Sequence, residues 1–309
     1  MICVRCGKRS TFPRSGGVED KRCEHCGEAI AFAPRAGDPV NDKVFARALG
    51  RISAEDKLRF TEDQLYYELR RILGPLARST FAELWARWQA VHGPHPGLVV
   101  PWPAHGEVTP LREADIGDYS FERVVISDHA WIVDFLLANN FHFETNSAVL
   151  AIEGHPPERF ELVREMLRQN PEVVVIAIHD ASLEGAGMAQ RLVTEDGWFR
   201  DHGYVFDVGL SPAHRELYEG LWSLREGAEE LEGVDPLELP EAEWLARYVL
   251  DFAVVRPEKI MRRLFRASRH HRDLLTKGDG LRVGEAYRDD VLLGPGWRKR
   301  IATGEERQL

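Results

Sequence analysis

Two sets of residues in this chain have the types and spacing for chemistry. The first is a pair of C-x2-C turns, Cys3 with Cys6 and Cys23 with Cys26, separated by sixteen residues and each followed by glycine, Gly7 and Gly27. Such a turn lets two thiolates grip one metal while the glycine takes the tight backbone conformation. Four thiolates at this spacing predict a structural zinc ribbon over residues 1–35. Two disulfides or a redox pair use the same residues. A reducing compartment counts against the first, and the lack of a surrounding βαβ pattern against the second. A closed four-cysteine site has no open position for catalysis, so the expected role is docking to nucleic acid or to protein. His25, inside the second pair, is expected at the surface.

The second set lies where apolar runs end. Val173 to Ile178 is a six-residue apolar run, five of them β-branched, that stops at His179 and Asp180, with Gly185 following. This predicts a strand buried on both faces, with Asp180 just past its carboxyl end, where open α/β sheets place their chemistry. Glu122 to Asp128 reads the same way, and Asp128 closes it. Asp128 and Asp180 are candidate ligands for Mg2+; a helix cap or a solvated turn explains either equally well. His179 beside Asp180 is a candidate acid/base group, and Glu153 is expected in a turn.

The elements that must position these ends alternate. Strand patterns at 122–128, 148–152, 173–178 and 204–210 are separated by helical patterns carrying Trp131, Phe135 and Leu136, then Phe160, Val163, Met166 and Leu167, then Met188 and Leu192. That alternation predicts an α/β domain with a parallel sheet over 119–225. Upstream, 36–118 is helical. Thr61 opens a helix carrying Leu65, Tyr66, Leu69, Ile72 and Leu73, and Ser79 or Thr80 caps a second with Phe81, Leu84, Trp85 and Trp88. With a short strand near Leu98 this is compatible with a small winged-helix unit. Tyr66 and Tyr67 are core rings or, for one phenol, a nucleophile.

The order and motifs resemble the toprim domain, above all its version in the A subunit of type IIB topoisomerases. Gly154-His155-Pro156 is similar to that family's turn after the second strand. Asp180 to Gly185 matches the spacing of its Asp-x-Asp-Pro-x-Gly, and Gly209-Leu210 its Gly-Leu element. Thr61 to Tyr67 resembles its Thr-x-Arg-x-(apolar)-Tyr-Tyr motif. The resemblance covers about residues 55–215. It implies a toprim-like fold, Tyr67 as a catalytic nucleophile toward DNA, and Asp128 and Asp180 as catalytic Mg2+ ligands. Four positions depart: Ser182 replaces the second Asp, Leu183 the Pro, Asp63 the Arg, and Ser127 or Asp128 the first-strand Glu. These departures favour a protein that binds nucleic acid or a nucleic-acid-processing partner over one that cuts DNA.

Downstream, 226–309 is expected to be an acidic linker, from Glu226 to Glu241, and then a helical segment. Lys259, Arg262, Arg263, Arg266 and Arg269 form its basic patch, either a solvated face or a contact for phosphates. Net charge is −10, which opposes broad non-specific DNA coating. No apolar run approaches the ~20 residues of a membrane span, and the N-terminus shows no apolar leader, so a cytoplasmic protein is expected, compatible with a homodimer.

Overall fold

A computed structural model describes residues 2–3, 5–9, 22–32, 37–100, 121–153, 163–165, 173–193 and 205–275. The predicted Gly154-His155-Pro156 turn, Tyr204, and the last 34 residues lie outside them. The chain divides into two compact units. One is residues 1–100 with 253–258, and the other is 101–252 with 259–309.

In the first unit three helices follow the cysteine turns: α1 (Asp42–Ile52), α2 (Glu62–Leu73) and α3 (Arg78–His92). Thr61 caps α2 as expected. Its hydroxyl accepts from the Gln64 amide while the Gln64 side chain accepts from the Thr61 amide, a reciprocal pair that satisfies two amides otherwise left open. Neither Ser79 nor Thr80 caps α3. The helix starts at Arg78, with Ala77 at the cap position and no side-chain hydrogen bond there. The cysteine segment is tied to these helices. Phe32 is fully buried against Phe45 at 5.1 Å and Trp88 at 6.0 Å between ring centroids. The backbone amides of Ala31 and Phe32 both donate to the buried Asp42 carboxylate, at 2.9 and 2.8 Å. The expected strand near Leu98 is reduced to one parallel bridge between Phe60 and Leu98.

The second unit is built on a four-stranded parallel sheet. Its strands are β1 (Arg123–Ser127), β2 (Ser147–Ala151), β3 (Val174–Ile178) and β4 (Val205–Asp207), in the order β2-β1-β3-β4. The mixed α/β architecture read from the alternating patterns is therefore present. β3 is wholly buried, as its unbroken apolar run requires. Val124, Ile126, Val175, Ala177 and Val205 pack on one face with Met188 and Leu192 of α6 (Met188–Val193). Helices α4 (Ala130–Ala138) and α5 (Phe141–Thr145) connect β1 to β2.

The stretch from Glu226 to Glu241 is mostly exposed. It joins β5 (Ser223–Leu224) to α7 (Glu241–Arg247) and β6 (Tyr248–Val249), and β5 pairs antiparallel with β6. Trp244 on α7 is fully buried. The last described helix, α8 (Pro257–Leu275), packs by Ile260 and Leu264, and its Ser268 carbonyl accepts from Arg123 Nε at 2.9 Å. Among the described residues no helix is long and apolar enough to cross a membrane.

Candidate metal centres

The four cysteines come together. Their sulfurs lie within 4.8 Å of one another, with Cys3 to Cys26 at 3.6 Å and Cys6 to Cys23 at 3.7 Å. A tetrahedral ion with bonds of about 2.3 Å has sulfur–sulfur edges of about 3.8 Å. Two matching turns build the cluster. The Gly7 amide donates to the Cys3 carbonyl at 3.0 Å, and the Gly27 amide to the Cys23 carbonyl at 2.8 Å. Both glycines sit at positive φ, 69° and 72°, where a side chain would be strained. The Glu28 amide pulls the Cys26 thiol down, but loss of water and the three neighbouring thiols outweigh it and push it up to about 12. Four thiolates this close need a cation among them. The cluster can hold a metal ion such as zinc.

The second centre lies at the carboxyl edge of the sheet. Register sets it: Ser127 pairs with Ala151 on one side and Ile178 on the other, so the residues after all three strands share one edge. Asp128 and Asp180 meet there, and the Asp180 amide donates to Asp128 Oδ2 at 2.9 Å. The spacing of the sequence pointed to both. It missed His129. Its Nε2 lies 3.0 Å from Asp180 Oδ2 and 3.7 Å from Asp128 Oδ2, and its Nδ1 lies 3.3 Å from Glu153 Oε2. A histidine directly after a strand-end carboxylate was the available signal. The hydrogen bond to Asp180 raises the His129 pKa; burial opposes it, and the charges of Asp180 and Asp128 add to it, reaching about 10. Asp128 is itself raised, first by burial and then by the Asp180 charge.

His179 has a structural place. Its Nε2 lies 2.9 Å from Asp207 Oδ1 and its Nδ1 2.7 Å from the Asp180 carbonyl, so both ring nitrogens face oxygen, an arrangement that favours the charged ring. Two glycines make room for it. A Cβ on Gly209 would collide with the His179 ring, and one on Gly185 with the Asp180 carbonyl. Since the ring is fixed at both nitrogens, Gly209→Ala is expected to destabilise the second unit by about 1–3 kcal/mol, read as a lowered urea midpoint. Ser182, at the position of the missing carboxylate, accepts from the Gly185 amide at 2.9 Å and serves the turn.

The other candidates are placed as follows. Tyr67 is 3% exposed and packs edge-on against Tyr66, whose hydroxyl donates to the Leu76 carbonyl at 3.0 Å. Tyr67 belongs to the first unit, Asp128 and Asp180 to the second. Asp63 forms an ion pair with Arg78, whose guanidinium also sits over the Tyr66 ring, 3.8 Å from its centroid. The negative charge of Asp63 is thus matched locally. Next to the tyrosines, Glu68 is fully buried and takes a two-point bond from Arg256, at 2.7 and 3.1 Å. In the basic patch, Lys259, Arg262 and Arg266 are exposed on α8. Arg263 is the correction: it is 2% exposed and donates to the Gly209 carbonyl at 3.2 Å, because the packed face of α8 runs through it. Arg269 lies on α8, with its side chain outside the described residues.

No protein-family model matches the chain, and neither a curated protein nor a solved structure matches it.

Proposed function

We propose that the protein binds nucleic acid, holding a backbone phosphate through a divalent cation at the carboxyl edge of its sheet, and that it does so without cutting the strand. The observation that carries this reading is the meeting of Asp128, His129 and Asp180 after adjacent parallel strands, within 4.8 Å of one another. A cation held by few protein ligands keeps positions for phosphate oxygens. The four-cysteine cluster serves as a zinc ribbon for docking, and Lys259, Arg262 and Arg266 supply a stripe for further phosphates. A toprim-like sheet and a winged-helix arrangement of α1–α3 belong to the same reading, supported by motif order and by the parallel strand order.

Two observations support binding over cleavage. The hydroxyl of Ser182 is committed to its turn, so one carboxylate fewer is offered than in the resembling motif. Tyr67 has too little surface for its phenol to reach a phosphodiester without rearrangement.

The test uses the full chain with labelled single- and double-stranded DNA and RNA, with Mn2+ or with EDTA. Saturable binding is expected, weakened by salt with a slope that falls by about one per lysine or arginine removed from Lys259, Arg262 and Arg266. Supercoiled DNA is expected to stay intact and free of covalent adduct. Absence of binding to every nucleic acid sinks the proposal, and an adduct lost in Tyr67→Phe sinks its non-cutting half.

A further inference from the structure

The edge centre is arranged for a particular class of ion, an inference that rests on its being a cation centre. In each of the three side chains one polar atom is already fixed by a neighbour. Asp180 Oδ1 accepts from the Phe252 amide at 2.6 Å. Asp128 Oδ1 accepts from the Ser127 hydroxyl at 3.2 Å. His129 Nδ1 faces Glu153 Oε2 at 3.3 Å, and the same Glu153 oxygen accepts from the Ala130 amide at 3.4 Å. The other atoms, Asp180 Oδ2, His129 Nε2 and Asp128 Oδ2, the last also accepting from the Asp180 amide at 2.9 Å, converge, with the nitrogen 3.0 and 3.7 Å from the two oxygens and all three within 4.8 Å. Neighbouring donors around a first-row ion with bonds of about 2.1 Å stand about 3.0 Å apart in an octahedron and about 3.4 Å apart in a tetrahedron. The two nitrogen–oxygen edges span those values.

We infer that Asp128, His129 and Asp180 form a three-point site for a divalent transition ion, in which His129 Nε2 is a direct ligand and Glu153 a positioning residue acting through Nδ1. A carboxylate on the far nitrogen of a metal-binding histidine fixes its orientation and raises its basicity. One imidazole among the donors changes selectivity. Mg2+ takes hard oxygen ligands, whereas Mn2+, Fe2+, Co2+ and Zn2+ accept nitrogen and carboxylate together. The site therefore discriminates against Mg2+, and His129 is the residue that makes it do so.

The experiment uses the full chain, its cysteine cluster loaded with zinc and no nucleic acid present, titrated with MnCl2 and followed by the electron spin resonance of free Mn2+. One Mn2+ per chain is expected, displaced by Mg2+ only at a concentration on the order of a hundredfold higher. The bound ion should carry a nitrogen coupling in pulsed spectra that changes when histidine is labelled with 15N. His129→Gln should erase that coupling and cut the Mn2+ preference over Mg2+ at least about tenfold. Glu153→Gln should weaken Mn2+ about 10–100-fold while keeping the coupling. Because Asp180 is buried and its removal threatens folding, Asp128→Asn is the carboxylate variant, checked by its melting curve; weakened Mn2+ binding is expected. No saturable Mn2+ on folded wild type, a bound ion without nitrogen coupling, or a Mn2+ preference untouched by His129→Gln overturns the inference. Mn2+ binding with the predicted signature but no affinity for nucleic acid would leave this site standing and sink only the functional proposal.

Discussion

Cys23→Ser is expected to abolish metal binding at the four-cysteine cluster and to melt part of the first unit with it. Apparent binding free energies for structural zinc in small four-ligand modules are about 10–16 kcal/mol, and in such modules metal binding is folding. Residues 2–9 and 22–32 contain little else to hold them. The contacts within them are the turns around the sulfurs, two single bridges, Ile2 with Arg9 and Arg22 with Ala29, and exposed side-chain bonds such as Arg5 to Glu28 at 3.0 Å and His25 Nε2 with the Arg9 carbonyl at 3.1 Å. The effect should spread beyond the turns. Phe32 is buried among Phe45 and Trp88, and the amides of Ala31 and Phe32 are held by Asp42 at the start of α1. Losing the cluster frees that segment, strands a buried carboxylate, and opens a cavity beside Trp88. Freeing a buried Phe alone costs about 3–5 kcal/mol. Two compact units make a single unfolding free energy ill-defined, so the expected result is an early-melting phase rather than a shift of the whole curve. The checks are zinc content per chain and hydrogen exchange at the Ala31 and Phe32 amides. Full zinc occupancy and unchanged exchange in Cys23→Ser would show that the cluster is not a metal site.

What was legible in the sequence was what local chemistry decides. The cysteine cluster needs only two tight turns, and the spacing encodes them. The strands β1, β2 and β3 follow from β-branched runs and fall within a residue or two of their expected ends. The helix at Thr61 follows from its cap. Legibility stops where a side chain's partner comes from another element. Asp207 pairs with His179 across the β3–β4 register, which no spacing along the chain records. His129 follows Asp128 along the chain, but its partner Glu153 comes from the end of β2. Arg263 sits in a run of basic residues whose outer members are exposed, and only the packing of α8 turns it inward. Ser79 and Thr80 are good cap formers, yet α3 begins before them.

Asp207→Asn should cost the second unit about 3–5 kcal/mol, the usual penalty for removing one partner of a buried ion pair. The reason lies in where His179 is. Its ring is held between the Asp207 carboxylate and the Asp180 carbonyl, with Gly209 against its face, so it neither turns nor reaches water. Removing the negative charge leaves the buried ring without a counter-ion, with only a carbonyl and an amide around it, so it must give up its proton. The Gly209 amide, which donates to the same Asp207 oxygen at 2.9 Å, is weakened with it, and Gly209 is where Arg263 anchors α8. Burial alone would lower the His179 pKa, but the hydrogen bond and charge of Asp207, with the Asp180 carbonyl, outweigh it and raise it. A histidine whose folded pKa lies above its unfolded value of about 6.5 stabilises the fold fully below that pH. Its contribution declines as pH rises above about 6.5 and is gone once pH passes the folded value. Stability of the second unit should therefore fall from pH 6 upward through this range, in part also through His129, whose pKa of about 10 gives the same sign. In Asp207→Asn the His179 part of that slope should vanish, because the ring loses the charge that kept it protonated. Urea melts of both proteins at pH 6, 7.5 and 9 measure it. Equal slopes would mean that His179 is neutral in the folded chain and that Asp207 holds it by geometry alone.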